Sequence, residues 1–194
     1  MKVKEKNLSI VDMVETQVIA SILEQEHIEA AIQSEVNIAF LVTGSLLTLE
    51  DDVNRLKDAG MYVFVHLDFI GGLASNKDGI QYLARKIKPH GIITTKNQLI
   101  KMARAEGLLS IQRTFLIDSS AINKSMSMIA SSKPDAIEVL PGVIPKVIED
   151  LCGRTDLPII AGGLISQKEE VMQALEAGSL AVSGGNIDLW NMKI

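Results

Sequence analysis

Pro158-Ile159-Ile160-Ala161-Gly162-Gly163 is followed, about one β/α unit later, by Ala181-Val182-Ser183-Gly184-Gly185-Asn186. Each stretch is a short aliphatic run that stops at a Gly pair and then enters a helical pattern. Glycine lets a backbone come close to a ligand, and the helix start that follows presents N–H groups without intrahelical partners. Two such turns in consecutive units near the C-terminus match the phosphate site after the seventh and eighth strands of a (β/α)8 barrel. Two ordinary tight turns are the plainer reading, and a single Gly-Gly would not decide between them. The repetition favours phosphate.

Working outward, the same alternation of aliphatic run and amphipathic pattern continues along the chain. The strand candidates are Val18–Ile22, Ile38–Val42, Tyr62–Leu67, Gly91–Thr94, Leu109–Phe115, Ala136–Leu140, Ile159–Ala161 and Leu180–Ser183. Between them, Thr48 with Asp51, Ser75 with Asp78, and Ser166 with Glu169 read as capping boxes. Gly60 and Gly178 read as helix stops, and Pro145 as a first-turn proline. Regular strand–helix alternation implies a parallel sheet, and eight units favour closure. The expectation is an α/β protein, a compact single-domain (β/α)8 TIM-type barrel over residues 1–194, with an open doubly wound sheet as the rival. Lys88-Pro89 and Lys133-Pro134 each step into a strand, either as a trace of half-barrel repetition or as a shared loop solution.

Composition supports this frame. Hydrophobic residues make up 47% and aromatics only 4%, the balance of a buried aliphatic sheet. A net charge of −5 excludes nucleic-acid binding by bulk charge and leaves only a local basic patch. The lone Cys152 excludes an intrachain disulfide and a cysteine-rich zinc site. The charged start from Met1 to Lys6 leads into no apolar segment, and no apolar run approaches the ~20 residues that span a bilayer. A cytoplasmic protein is expected. Its oligomeric state is left open, a homo-oligomer included.

In a barrel, function gathers at the C-terminal ends of the strands. Backbone N–H groups of Gly163 and Leu164, the Ser183 hydroxyl and the helix start at Asn186 are candidates for phosphate. His66 and Asp68 form an H-x-D whose side chains share one strand face. The pair suits ligand hydroxyls better than a metal, because His27 and His90 are not at strand ends and a metal wants three or four ligands. Lys96 follows a Thr pair at a strand end and reads as an anion partner, a catalytic amine or a solvated lysine. Arg113 and Glu138 fall inside apolar strands, where an unpaired charge is costly, so each either pairs with the other in the lumen or meets a ligand. Arg85, Lys86, Lys88, Lys96, Lys101 and Arg104 form a basic stretch without acids, either a solvated helix face or a patch for a polyanion such as RNA.

Several ordered segments carry a resemblance. They are Val65-His66-Leu67-Asp68-Phe69-Ile70-Gly71-Gly72-Leu73, Ile93-Thr94-Thr95-Lys96, Ile111 to Ser119, Lys133 to Gly142, and Ile160 to Ile165. Together they resemble the glycerol-3-phosphate-responsive antiterminators, regulators of glycerol operons in Gram-positive-type bacteria, over Val18 to Trp190. The resemblance implies a barrel that is a regulator and not an enzyme, with no cofactor and no metal. It implies glycerol 3-phosphate as effector and leader mRNA as target, with antitermination or transcript stabilisation as the outcome. It puts the phosphate on Gly162, Gly163, Ser183, Gly184 and Gly185, and the glycerol end near His66, Asp68, Lys96, Arg113 and Glu138. A second hydroxyl residue is expected after Ser183. Gly184-Gly185 stands there, so backbone N–H groups must supply more of the grip. The alternative is an isomerase, epimerase or aldolase of small phosphosugars on the same barrel.

Overall fold

The computed structural model describes residues 9–192 and residue 194; the charged start from Met1 to Lys6 lies outside them. Eight parallel strands close into a barrel in sequential order: β1 Val18–Ile22, β2 Ile38–Leu41, β3 Tyr62–His66, β4 Gly91–Thr94, β5 Leu109–Phe115, β6 Ala136–Leu140, β7 Ile159–Gly162 and β8 Ala181–Gly184. β1 pairs with β8 through Val18↔Val182, Ile19↔Ser183 and Ala20↔Gly184. That pairing rules out the open doubly wound sheet. The Gly pairs are divided between sheet and loop: Gly162 and Gly184 are the last strand residues, and Gly163 and Gly185 the first of the loops.

Alternation along each strand sorts the aliphatic side chains into two layers. Ile19, Phe40, Phe64, Ile93, Ile111 and Ile160 point inward and fill the lumen. Their neighbours, such as Ala20, Val63, Ile92 and Ala161, face the surrounding helices and are fully buried there. Helix α1 (Ile10–Met13) adds Ile10 and Met13 to the inner cluster beside the strand starts Ile38, Tyr62, Leu109 and Leu180, closing the N-terminal end of the barrel. The lumen is therefore packed with hydrocarbon below and polar only toward the C-terminal mouth.

Space inside that packing explains Gly91. A Cβ there would lie 2.6 Å from the Leu109 carbonyl oxygen and 2.6 Å from the Phe64 ring. Gly91→Ala is expected to cost about 1–3 kcal/mol through overpacking, read as a lower urea midpoint with the ligand response retained.

The remaining helices are α2 (His27–Ile32), α3 (Leu49–Asp58), α4 (Lys77–Tyr82, prolonged by a π turn over Leu83–Ile87), α5 (Asn97–Ala105), α6 (Ser119–Ser132), α7 (Pro145–Cys152), α8 (Lys168–Glu176) and α9 (Ile187–Trp190). Pro145 occupies the first turn of α7 as expected. The three expected capping boxes are corrected. Thr48 has helical backbone and makes no cap bond, because the chain enters α3 through a turn in which Ser45 O accepts from Thr48 and Leu49. The cap of α4 is Asn76, one residue on from Ser75, with its Oδ1 accepting from Gly79 N at 3.0 Å. At α8 the carboxylate that accepts from the Ser166 and Gln167 N–H groups belongs to Glu170, not Glu169.

The two Lys-Pro steps share one local solution. Lys88 and Lys133 both adopt left-handed backbone (φ 55° and 54°) and end their helices by bonding back to Leu83 O and Ile129 O. They precede β4 and β6, two strands apart and not four, so the likeness is a loop device and no mark of half-barrel repetition.

Candidate ligand-binding site

The mouth of the barrel is built on the inward positions at the strand ends. Arg113 and Glu138 are neighbours in the β5–β6 register and pair inside the lumen. Arg113 Nε donates to Glu138 Oε2 at 2.6 Å and Nη2 donates to Oε1 at 3.2 Å, with the two residues only 8% and 1% exposed. Ser183 Oγ donates to the same Glu138 Oε1 at 2.7 Å. Gly162 makes room for this group: a Cβ there would lie 2.6 Å from Ser183 Oγ and 3.0 Å from Glu138 Oε1. Arg113 Nη1 makes no hydrogen bond among the described residues.

A second cluster occupies the ends of β3 and β4. The chain leaves β3 through a 3-10 turn, Leu67–Phe69, which brings Asp68 over the Thr94-Thr95 step. Asp68 Oδ2 accepts from Thr95 N (2.9 Å), Thr94 Oγ1 (3.0 Å) and Thr95 Oγ1 (3.2 Å), and Lys96 Nζ lies 3.3 Å from Oδ1. Partial burial works to raise the Asp68 carboxyl, but the Thr95 N–H, the Thr94 hydroxyl and Lys96 together outweigh it and hold the pKa below the ordinary aspartate value. His66 is fully buried, 3.9 Å from Asp68 by Nδ1, and neither ring nitrogen has a hydrogen-bond partner among the described residues. Burial first, and then the Arg113 charge, push its pKa down to about 3, with Asp68 opposing weakly. The imidazole is therefore neutral and able both to donate and to accept.

The two Gly turns border a cavity of about 190 Å3 lined by Ser21, Arg113, Glu138, Gly163, Ser183 and Gly185, among others. This is below the ~300–1,000 Å3 of sites for drug-sized ligands and suits a molecule of few heavy atoms. Gly163 and Leu164 both take positive φ (73° and 62°). Among the described residues, the backbone N–H groups of Gly163, Leu164, Gly185 and Asn186 donate to nothing in the chain. The Asn186 side chain is already engaged, with Oδ1 accepting from Asp188 N at 3.1 Å to cap α9. A larger cavity of about 770 Å3 lies outside the barrel between α6 and α7, near Ile122, Asn123, Val147 and Arg154. It is open to solvent and touches none of the Gly turns.

Seen together, the mouth holds two ion pairs, Arg113–Glu138 and Lys96–Asp68, a neutral imidazole and four unused N–H groups. Lys96 apart, the basic stretch is elsewhere. Arg85 pairs bidentately with Glu106, and Lys86 with Glu50 at 3.3 Å, so one acid from just beyond the run and one from α3 join it. Lys101 donates to Ser131 Oγ and Arg104 to Lys133 O, while Lys88 lies in the turn before β4. Lys88, Arg104 and Lys133 thus lie toward the N-terminal end of the barrel, opposite the mouth. Sequence reading missed Ser21 and Phe69 at the mouth. Ser21 was legible by period two from Ile19 within β1, whereas the exposure of Phe69 depends on the 3-10 turn.

Among the described residues no group of three His, Cys, Asp or Glu is gathered that could hold a metal ion, and no helix is long and apolar enough to cross a membrane.

Comparison with known proteins agrees over almost the whole chain. Residues 18–190 match the model of the family described as glycerol-3-phosphate responsive antiterminator. The chain is 36% identical over 175 residues, covering 90% of it and 92% of the relative, to the uncharacterized protein YgcP of Escherichia coli (strain K12). Among solved structures it is similar to the glycerol uptake operon antiterminator regulatory protein of Listeria monocytogenes, at 32% identity, TM-score 0.88 and full coverage of both chains. It is also similar to a glycerol uptake operon antiterminator-related protein of Thermotoga maritima, at 31% identity, TM-score 0.81, covering 91% and 99%. By its fold, its mouth and these matches, the chain belongs to the family of glycerol-3-phosphate responsive antiterminators.

Proposed function

We propose that this protein is a cytoplasmic sensor of glycerol 3-phosphate that, when liganded, binds leader mRNA of glycerol-utilisation genes and favours antitermination or transcript stability. The observation that carries the reading is the four unused N–H groups of Gly163, Leu164, Gly185 and Asn186 around a cavity of three-carbon size. Backbone N–H groups need no charge of their own to hold a phosphate dianion. That matters here, because both cations at the mouth already have carboxylate partners. The glycerol end then meets the Arg113–Glu138–Ser183 group, which lines the same cavity, while His66 is fully buried and is not among the lining residues.

Turnover is less well served by the same groups. A general base must be free to take a proton at the working pH. Glu138 already accepts from Arg113 and Ser183, Asp68 accepts from Thr94 and Thr95 through Oδ2 and is ion-paired with Lys96, and an imidazole with a pKa of about 3 is a weak base. These are arrangements for holding a ligand still. Ligand binding then shifts RNA affinity by its differential affinity for the RNA-competent state.

Thermal unfolding with glycerol 3-phosphate, glycerol and inorganic phosphate tests the ligand. At 100 times Kd, glycerol 3-phosphate is expected to stabilise by about 2.7 kcal/mol, with glycerol silent and inorganic phosphate weaker. Equal effects of the two phosphates remove the glycerol assignment, and conversion of the ligand to a product removes the sensor reading.

A further inference from the structure

The mouth is rimmed by exposed apolar side chains, an arrangement that a monomer in water does not need. Two are phenylalanines, in a chain with four: Phe69 (54% exposed), in the turn after β3, and Phe115 (51%), at the end of β5. β4 lies between these strands in the barrel, and its end carries Lys96, whose side chain is half exposed. Around the rim the order is therefore aromatic, cation, aromatic, with β3 and β5 two strand spacings, about 10 Å, apart. Flat hydrophobic faces flanking a cation are what single-stranded nucleic acid uses, bases on the rings and phosphate on the amine, which here is half exposed and shared with Asp68 at 3.3 Å.

Phe69 is also tied to the ligand groups. Its ring packs on the His66 imidazole with centroids 4.5 Å apart. Asp68, the residue before it, is held by Thr94, Thr95 and Lys96. The end of β3 and the turn after it thus carry a buried imidazole, a carboxylate at the mouth and a ring that faces solvent. The basic patch has no such connection, since it lies toward the other end of the barrel and two of its cations are paired with Glu50 and Glu106.

We infer that the mouth rim formed by Phe69, Lys96 and Phe115 is the RNA-binding surface, stacking unpaired bases beside the bound ligand. This rests on the reading of the protein as a ligand-dependent RNA binder, and it commits to RNA where a second copy of the chain or another protein would also cover apolar side chains. A ligand bound in the cavity of the mouth would place effector and RNA on one face.

The test uses the full chain and a labelled RNA of the glycerol-operon leader from the same genome, with glycerol 3-phosphate present. Phe69→Ala and Phe115→Ala are each expected to weaken RNA binding roughly 5- to 150-fold, the range for loss of a base-stacking aromatic. Phe69→Trp retains binding and Phe69→Leu does not, because stacking needs a ring and general apolar docking does not. Stabilisation by glycerol 3-phosphate persists in Phe115→Ala. Lys101→Ala with Arg104→Ala leaves the RNA affinity within about two-fold. RNA binding that survives both Phe→Ala changes but falls with the Lys101 and Arg104 changes overturns the inference while leaving the regulator intact. A change of oligomeric state in Phe69→Leu, with unchanged RNA affinity, assigns the rim to a second copy instead and equally overturns it. No RNA binding by the parent chain at all strikes the proposed function itself.

Discussion

Glu138→Gln is expected to lower the thermal unfolding midpoint by roughly 6–20 °C, the largest effect of any single conservative change at the mouth. The substitution keeps shape and removes charge. Arg113 then stays buried, at 8% exposure, without a counter-charge, and Ser183 loses its carboxylate acceptor. Breaking a buried pair in this one-sided way costs about 3–5 kcal/mol. In a chain of this size each kcal/mol moves the midpoint by about 2–4 °C. The paired change tells stability apart from function. Arg113→Met with Glu138→Met removes both charges together, and well-packed apolar replacements of buried pairs are often neutral or better. That variant is expected to melt near the parent yet show no stabilisation by glycerol 3-phosphate. If it melts near the parent and still responds to the ligand, the pair is a folding element and not part of the site. Differential scanning calorimetry with and without ligand reads both quantities in one experiment.

Acid exposes the second large effect. His66 keeps a neutral ring in the folded protein down to about pH 3, while in the unfolded chain it takes up a proton near pH 6.5. Between these values the unfolded state binds the extra proton, so stability falls as pH falls. At pH 4.5 the loss is about 2–3 kcal/mol, and at pH 3 about 4 kcal/mol. Above pH 6.5 this contribution is flat. Asp68 acts in a different window. Its pKa is depressed from 3.8, so the stability it supplies is present above that value and is lost only as pH falls through its lower folded value. Urea unfolding at pH 7.0 and 4.5 therefore leaves Asp68 out of the comparison but includes His90, which burial and the Lys57 charge also hold below the ordinary histidine value, so the His66 share is read from its variant. His66→Asn is expected to narrow the difference between the two pH values by about 2 kcal/mol. A variant whose stability difference matches the parent's places the acid sensitivity on another group.

Much of the architecture was legible before any coordinates. Each aliphatic run from Val18 to Ser183 became a strand, with limits moved by at most one residue, because a parallel barrel buries both strand faces and writes itself as predominantly aliphatic runs. The helix starts were less legible. Ser75, Asn76 and Asp78 all suit a cap, and only backbone geometry selects Asn76. The Arg113–Glu138 pair was one of two readings of charges inside apolar strands, and the β5–β6 register chose it. The acid-free look of Arg85 to Arg104 was misleading in a particular way, since Glu106 stands two residues beyond the run and folds back onto Arg85, and Glu50 meets Lys86 only in space.

The sequence by itself determined the strand count, the aliphatic lumen and the glycines after the seventh and eighth strands. These follow from local hydrophobicity and from backbone freedom, which act over a few residues. Only the tertiary structure decided what the polar residues do. It turned Glu138 toward Arg113 and Ser183, and enclosed His66 with no hydrogen-bond partner among the described residues. It also spread the exposed Phe69 and Phe115 around the rim, with Lys96 between them. Those outcomes depend on register and on strands far apart in the chain, where a one-residue slip would reverse every side chain.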